Sequence, residues 1–241
     1  MFSPLSFQQT TIVTNGLVLN LDASDRTSYP TTGTTWRDLS GTGNNGTLFN
    51  GPTYNTANGG SIVFDGADDY VNVPNASSLV MTTTNQVTVD VWVYPIGDGI
   101  PSTREFLNKR NDDGSTFVSY GVSWQSIDGG VTNRVFCRLG FTDNTVSDLT
   151  STNQSKNVWF NITETFNGTL HSLYINGVIN ASASVSGKTI KDTGASVTLG
   201  SYNGSTEFIN GRIANGKIYN RGLTANEVLQ NFQATRARFG I

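Results

Sequence analysis

The clearest pattern in the chain is the alternation in Val87-Thr88-Val89-Asp90-Val91-Trp92-Val93-Tyr94. Side chains of an extended strand point to opposite faces in turn, so the four valines share one face and Asp90, Trp92 and Tyr94 the other. The valine face is a core face. The second, part aromatic, is that of a central strand partly covered by loops. Shorter runs of strand-forming residues, bounded by Gly, Asn, Asp and Ser, predict further strands over residues 16–21, 61–65, 70–73, 106–109, 117–124, 134–141, 158–166, 172–175, 178–184, 196–200 and 211–220. Asn176-Gly177 between two of these runs predicts a type I′ hairpin turn, where both residues need positive φ. Many short strands with turns at this spacing indicate a sandwich or barrel.

The period changes once, near the end of the chain. Thr224-Ala225-Asn226-Glu227 has the spacing of a capping box, with Leu223 and Val228 placed as a hydrophobic staple. Val228, Leu229 and Phe232 form an apolar stripe that predicts one short helix lying on the sandwich. Two segments lack periodicity. Residues 1–14, with Phe2, Leu5 and Phe7 among polar residues, read as an N-terminal arm preceding a domain over 15–241. Residues 29–54 read as a long loop pinned by Trp36, Leu39, Leu48 and Phe49.

Composition narrows the picture. A chain of 241 residues suits one large all-β domain. Its single cysteine, Cys137, excludes an internal disulfide and reads as a small buried hydrophobe. A net charge of −3, with only 14% charged residues, leaves no footprint for nucleic acid. No stretch approaches the roughly 18 apolar residues of a membrane span, so no membrane insertion is expected. The first residues have neither the basic start nor the apolar run of a signal peptide.

Several segments, in order, carry a resemblance: Gly16-Leu17-Val18-Leu19-Asn20-Leu21-Asp22-Ala23, Trp36-Arg37-Asp38-Leu39-Ser40-Gly41, Ser61-Ile62-Val63-Phe64-Asp65-Gly66-Ala67-Asp68-Asp69-Tyr70-Val71, residues 87–95 and 159–177, and Gly211 through Thr224 with its Ile218-Tyr219-Asn220-Arg221-Gly222-Leu223-Thr224. Over residues 15–235 the chain is similar to the laminin-G-like branch of the concanavalin A-like lectin/glucanase superfamily. That resemblance implies an all-β jelly-roll sandwich of two antiparallel sheets, used to bind carbohydrate or protein, with a rim loop that in some members holds calcium. A lone domain ending in this Asn-Phe-Gln-Ala-Thr-Arg-Ala-Arg-Phe-Gly-Ile tail also resembles structural proteins of bacteriophages and large DNA viruses, which decorate capsids or form tail tips.

Chemistry was sought in the residues themselves. Glycoside hydrolases on this fold present paired acids from one strand, because acid and nucleophile must flank the scissile bond. The four glutamates, Glu105, Glu164, Glu207 and Glu227, do not begin such a pattern. His171, the only histidine, has no nucleophile motif beside it and reads as a surface residue. Calcium needs several hard oxygens. Asp65, Asp68 and Asp69 cluster in sequence, and Asp65 and Asp69 are the expected metal ligands; Asn111-Asp112-Asp113 reads instead as a turn ending at Gly114. Where the resemblance implies an acid after Gly211-Arg212-Ile213, this chain has Ala214-Asn215. A glycan needs an aromatic face for stacking, with amide and carboxylate partners for its hydroxyls. Trp124, Tyr202, Asn203 and Tyr54 lie at strand ends or in loops and are the expected ligand residues.

The expectation is a non-enzymatic virion structural protein, made in the host cytoplasm. It would pack against other virion proteins, or against its own copies through the arm, and contact host-surface glycans. A free calcium-assisted lectin is the alternative, and a glycoside hydrolase on the same fold the third reading.

Overall fold

The computed structural model describes residues 10–97, 103–111, 118–126 and 132–241. The first nine residues of the expected arm, Phe117 at the start of one expected strand, and the Asp112-Asp113-Gly114 turn lie outside the described residues. Two eight-stranded sheets stack face to face, and every described pairing is antiparallel.

The first sheet runs β14 (Val178–Ser184), β13 (Leu170–Ile175), β12 (Phe160–Phe166), β7 (Val87–Pro95), β16 (Asn210–Tyr219), β5 (Ser61–Asp65), β4 (Thr53–Asn55), with β1 (Leu17–Asp22) also paired to β16. The second runs β11 (Val146–Thr150), β10 (Asn133–Gly140), β9 (Val118–Ser126), β8 (Arg104–Arg110), β15 (Val197–Leu199), β6 (Tyr70–Val73), β3 (Gly46–Phe49), β2 (Thr35–Trp36). The four β7 valines are fully buried in the shared interior with Ile62, Phe64, Val71, Val122, Cys137, Ile162 and Leu199. Alternation predicted an all-β sandwich or barrel, and the two-sheet sandwich implied by the resemblance is the architecture observed.

The other face of β7 has its own cover. The one described α-helix, α1 (Ala225–Thr235), continues into a 3-10 turn, Arg236–Phe239. Both sides of the Thr224/Glu227 capping box form, and Leu223 and Val228 pack in one cluster. Trp92 is buried between rings of this segment, stacked 5.8 Å from Phe232 and 4.0 Å from Phe239, and its Nε1 donates to Thr235. Leu229, expected in the buried stripe, is exposed; Asn231 takes the inner position because its amide donates to the Tyr219 hydroxyl and its carbonyl accepts from Val13 N–H. That second bond ties residues 11–14 along α1, with Tyr219 Oη donating to Val13 O and Gln230 Nε2 to Thr11 O. From Thr11 on, the expected arm is docked on the domain.

Asn176 and Gly177 both take positive φ, 50° and 75°, as the I′ turn requires. The long loop contains β2, β3 and β4, short strands whose two to four residues give no readable period. Trp36 and Leu48 are the buried pins; Phe49 is not one, since it faces out from β3.

Candidate functional site

The chemistry-bearing groups collect on the outer face of the second sheet and on the corner where β5 turns into β6. At that corner Asp65 ends β5, Gly66 turns the chain, and Asp69 precedes Tyr70 on β6. Asp65, Asp68 and Asp69 place one carboxylate oxygen each within 4.8 Å of one another. Asp69 is buried and accepts from Asp65 N–H at 3.0 Å. Burial raises its carboxyl above the ordinary aspartate range, and the neighbouring Asp65 and Asp68 charges raise it further. Three hard oxygen donors repelling each other are the donor set that a calcium ion neutralises. The corner therefore brings the two expected ligands together and adds Asp68.

An aromatic pair borders this corner. Phe49 on β3 lies opposite Tyr70 in the ladder, and their rings stack at 4.9 Å with only 8° between planes. Phe49 is 39% exposed. The next residue, Asn50, donates from its side-chain amide to Asp68 O at 2.8 Å, fixing the β3 end to the acidic corner. On the other side of Tyr70 lies the turn Tyr202-Asn203-Gly204. Gly204 has φ 70°, and a Cβ there would stand 2.8 Å from the Tyr70 ring, so only glycine permits this approach. Asn203, exposed at φ 49°, sits at the tip of that turn.

The base of the turn joins a charged cluster. The Arg110 guanidinium lies 4.3 Å over the Tyr202 ring and bonds Glu105, with Glu207 at 3.5 Å. Glu105 is buried, its carboxyl is pushed up to about 8 by burial, and its backbone N–H donates to Glu207 O at 3.1 Å. The cavity beside them, lined by Arg110, Ser123, Phe136 and Arg138, measures about 10 Å³, the size of one water.

The expected ligand residues divide. Asn203 belongs to the strip described above. Tyr202, beneath Arg110, is 6% exposed and supports the turn. Trp124 is a correction: only 1% exposed, it packs against Phe106 and Phe160 and donates to Gly97 O, so no sugar reaches its ring. It falls on the inward parity of β9 with Tyr120 and Val122, which its place near the strand end concealed. Tyr54 is on β4 of the other sheet, close to Tyr29, with its hydroxyl on Ala23 O. Phe49, Tyr70, Arg110 and Glu207 were missed as site residues. The Asp-Tyr-Val run was the only local signal, because the partners of Tyr70 come from β3 and from residues 202–204.

His171 is the second correction. It is fully buried, with Nε2 2.9 Å from Glu164 Oε1 and Nδ1 2.9 Å from Ser147 Oγ. A Ser-His-acid chain thus exists, but Ser147 shares the inward parity of β11 with Leu149, so its hydroxyl points between the sheets. The chain ties β11 of one sheet to β12 and β13 of the other.

The family model described as "Concanavalin A-like lectin/glucanases superfamily" matches residues 65–229, more than half of the chain. Among solved structures, the binding domain of Paraclostridial Mosquitocidal Protein 1 is similar with a TM-score of 0.66 at 19% identity, over 90% of this chain and 52% of that one. The binding domain of Botulinum Neurotoxin serotype G gives 0.68 at 18% identity, over 90% and 50%. A Trypanosoma rangeli sialidase in complex with the inhibitor DANA gives 0.66 at 18%, over 95% and 36%. The chain spans about half the length of the toxin domains and about a third of the sialidase. At these identities the likeness is one of fold. No curated protein matches the chain.

Proposed function

The chain belongs to the concanavalin A-like lectin/glucanases superfamily, and from that premise we propose that it is a non-catalytic glycan-binding sandwich whose ligand lies on the Phe49–Tyr70 stack. One observation carries the reading: Phe49, 39% exposed and stacked on half-buried Tyr70, borders a corner holding Asp65, Asp68 and buried Asp69, with the exposed Asn203 on the turn across Tyr70. Aromatic faces take the C–H face of a sugar ring, while carboxylates and amides take its hydroxyls. Phe49 faces out from a short strand and is not filling the core. The toxin domains are binding domains, and cell entry of botulinum neurotoxin type C, a structure of the same fold, is dependent upon interaction with two ganglioside molecules; this supports a binding role without transferring a ligand.

A glycan array tests it. Phe49→Ala is expected to cost about 1 kcal/mol of stability through the lost Tyr70 stack and to weaken glycan binding about tenfold or more, comparable to the roughly 1–3 kcal/mol of a nucleobase stacked on an aromatic side chain. An array blank with wild-type protein overturns the proposal.

Calcium is the proposed ion, held by Asp65, Asp68 and Asp69. Titration of metal-stripped protein with calcium chloride should show saturable heat that Asp69→Asn removes. Because Asp69 titrates above the ordinary aspartate range, its affinity should fall as pH drops through the region where Asp69 gains its proton. No saturable heat, or heat unchanged in the variant, rejects the site.

In the same reading the sandwich is carried on a virus particle, packed against other virion proteins or copies of itself. The support is the Asn231–Ile241 tail, which resembles that of phage and large DNA virus structural proteins. Mass spectrometry of purified particles decides it, and absence of the chain from them ends this part of the proposal.

A further inference from the structure

The described edges of the two sheets are mostly short or charged. β4 and β2 have three and two residues, and β11 carries Asp148. β14 differs. It ends the first sheet, pairs only with β13 among the described residues, and is seven residues long. Residues 175–187 hold no charged residue and no proline, the side chains that keep an edge from pairing with another chain. Val178 and Ile179, at its start, are the two most exposed large apolar residues among those described, at 64% and 53%. At its other end a groove of about 510 Å³ opens between the sheets, lined by Phe141, Val146, Ala183 and Val185. An apolar knob and an apolar groove thus stand at opposite ends of one uncharged edge.

We propose that β14 is the interface of a two-fold dimer, pairing antiparallel with β14 of a second copy. Pairing about Ser182 sets Ala181 of one copy against Ala183 of its partner. Both alanines pack toward the core side of the strand, and residues opposite one another on antiparallel strands share a face. The same register brings Val178 and Ile179 of one copy beside Ser184–Ser186 of its partner, at the mouth of the groove. Two-fold symmetry makes that contact twice. Asn180 is the extra residue of a bulge, and its amide is turned back onto Thr152 of its own chain. The regular stretch Ala181–Ser184, small and uncharged, therefore forms the centre.

Size and chemistry favour a second copy as the occupant. Seven residues make an edge roughly 24 Å long, on a sandwich roughly 20 Å thick with its side chains. Covering that face on both copies removes on the order of 1,000 Å² from water, the size at which an interface becomes specific. Knob, centre and groove are self-complementary, which a foreign strand has no need to be. Phe49 and Tyr70 lie on β3 and β6, toward the other end of the second sheet, so the dimer presents two strips at its outer ends. Simultaneous engagement of both raises avidity without a new contact. That consequence rests on the glycan reading, whereas the dimer itself is read without a ligand.

Light scattering on the full chain as it elutes from a sizing column tests it. Wild type is expected at twice the chain mass. Ser182 is exposed, so Ser182→Lys and Ser182→Glu should each keep the wild-type circular dichroism and Tm. Like charges then meet across the axis, and each variant is expected at a single chain mass. Mixed together, the two should recover the double mass, because Lys now faces Glu. A wild type of single mass, variants that both stay double, or no recovery on mixing each overturn the dimer. The glycan array separates the two proposals. A dimer with a blank array rejects the glycan reading alone, whereas a monomer that binds glycan rejects the dimer alone.

Discussion

Lys217→Met will cost the fold about 3–5 kcal/mol, read as a lower midpoint in chemical denaturation and a fall in Tm on the order of 10 °C. Lys217 and Asp90 are 2% and 1% exposed, facing each other at 3.1 Å on neighbouring strands β16 and β7. Thr163 Oγ1 and Asn161 Nδ2 also donate to Asp90, and Asn215 accepts from the ammonium at 3.0 Å. Removing the ammonium leaves an ionised carboxylate in a site that water does not reach, and the remaining neutral donors do not offset its charge. Adding Asp90→Asn to Lys217→Met removes the uncompensated charge and is expected to return a substantial part of the loss. If the double variant is no more stable than Lys217→Met, the cost comes from packing of the lysine stem and the electrostatic account is wrong.

Trp92→Ala should cost a similar amount, about 3–5 kcal/mol, with a spatial signature of its own. The indole is fully buried outside the main core, under Phe232 and Phe239, with Trp159 and Ala214 in the same cluster. Its Nε1 bond to Thr235 anchors the end of α1. Truncation removes the platform for the C-terminal segment, so hydrogen exchange should rise in residues 225–239 while β9 and β10 stay protected. Uniform loss of protection across both sheets would show that α1 and the sandwich unfold as one unit and would count against a separate outer cluster.

Both variants probe the face of β7 that alternation marked as partly covered by loops and that α1 and its 3-10 extension cover instead. The four valines were legible because a period of two needs no knowledge of partners. Asp90 on the opposite face was not, since Lys217 is 127 residues away and meets it only through the β7–β16 ladder. Similarly, the capping box was complete within Thr224–Glu227 and formed as written, whereas Leu229 was misplaced because the inner position of α1 goes to Asn231, whose hydrogen-bond partners lie in Val13 and Tyr219. His171 gave no local sign of burial. Its environment is made by Glu164 from an adjacent strand and by Ser147 from the opposite sheet.

The glycan strip divides in the same way. Asp65, Asp68 and Asp69 are close in sequence, and a turn of this length leaves their carboxylates close in space. Trp124 stood out as an aromatic near a strand end, but parity on β9 turned it inward. Phe49, read as a pin, was turned outward by its register against Tyr70. The Glu105–Glu207 contact joins β8 to the end of a turn about a hundred residues later and has no local signature.

What the sequence by itself determined was local and periodic: many short strands, one capped helix, an Asn-Gly turn and an acidic corner, each set by interactions spanning a few residues. The tertiary structure alone decided which side of each strand met the core, which charges became partners, and which aromatic rings remained exposed. Those outcomes depend on register and on sheet-to-sheet stacking, where a shift of one residue reverses every side chain.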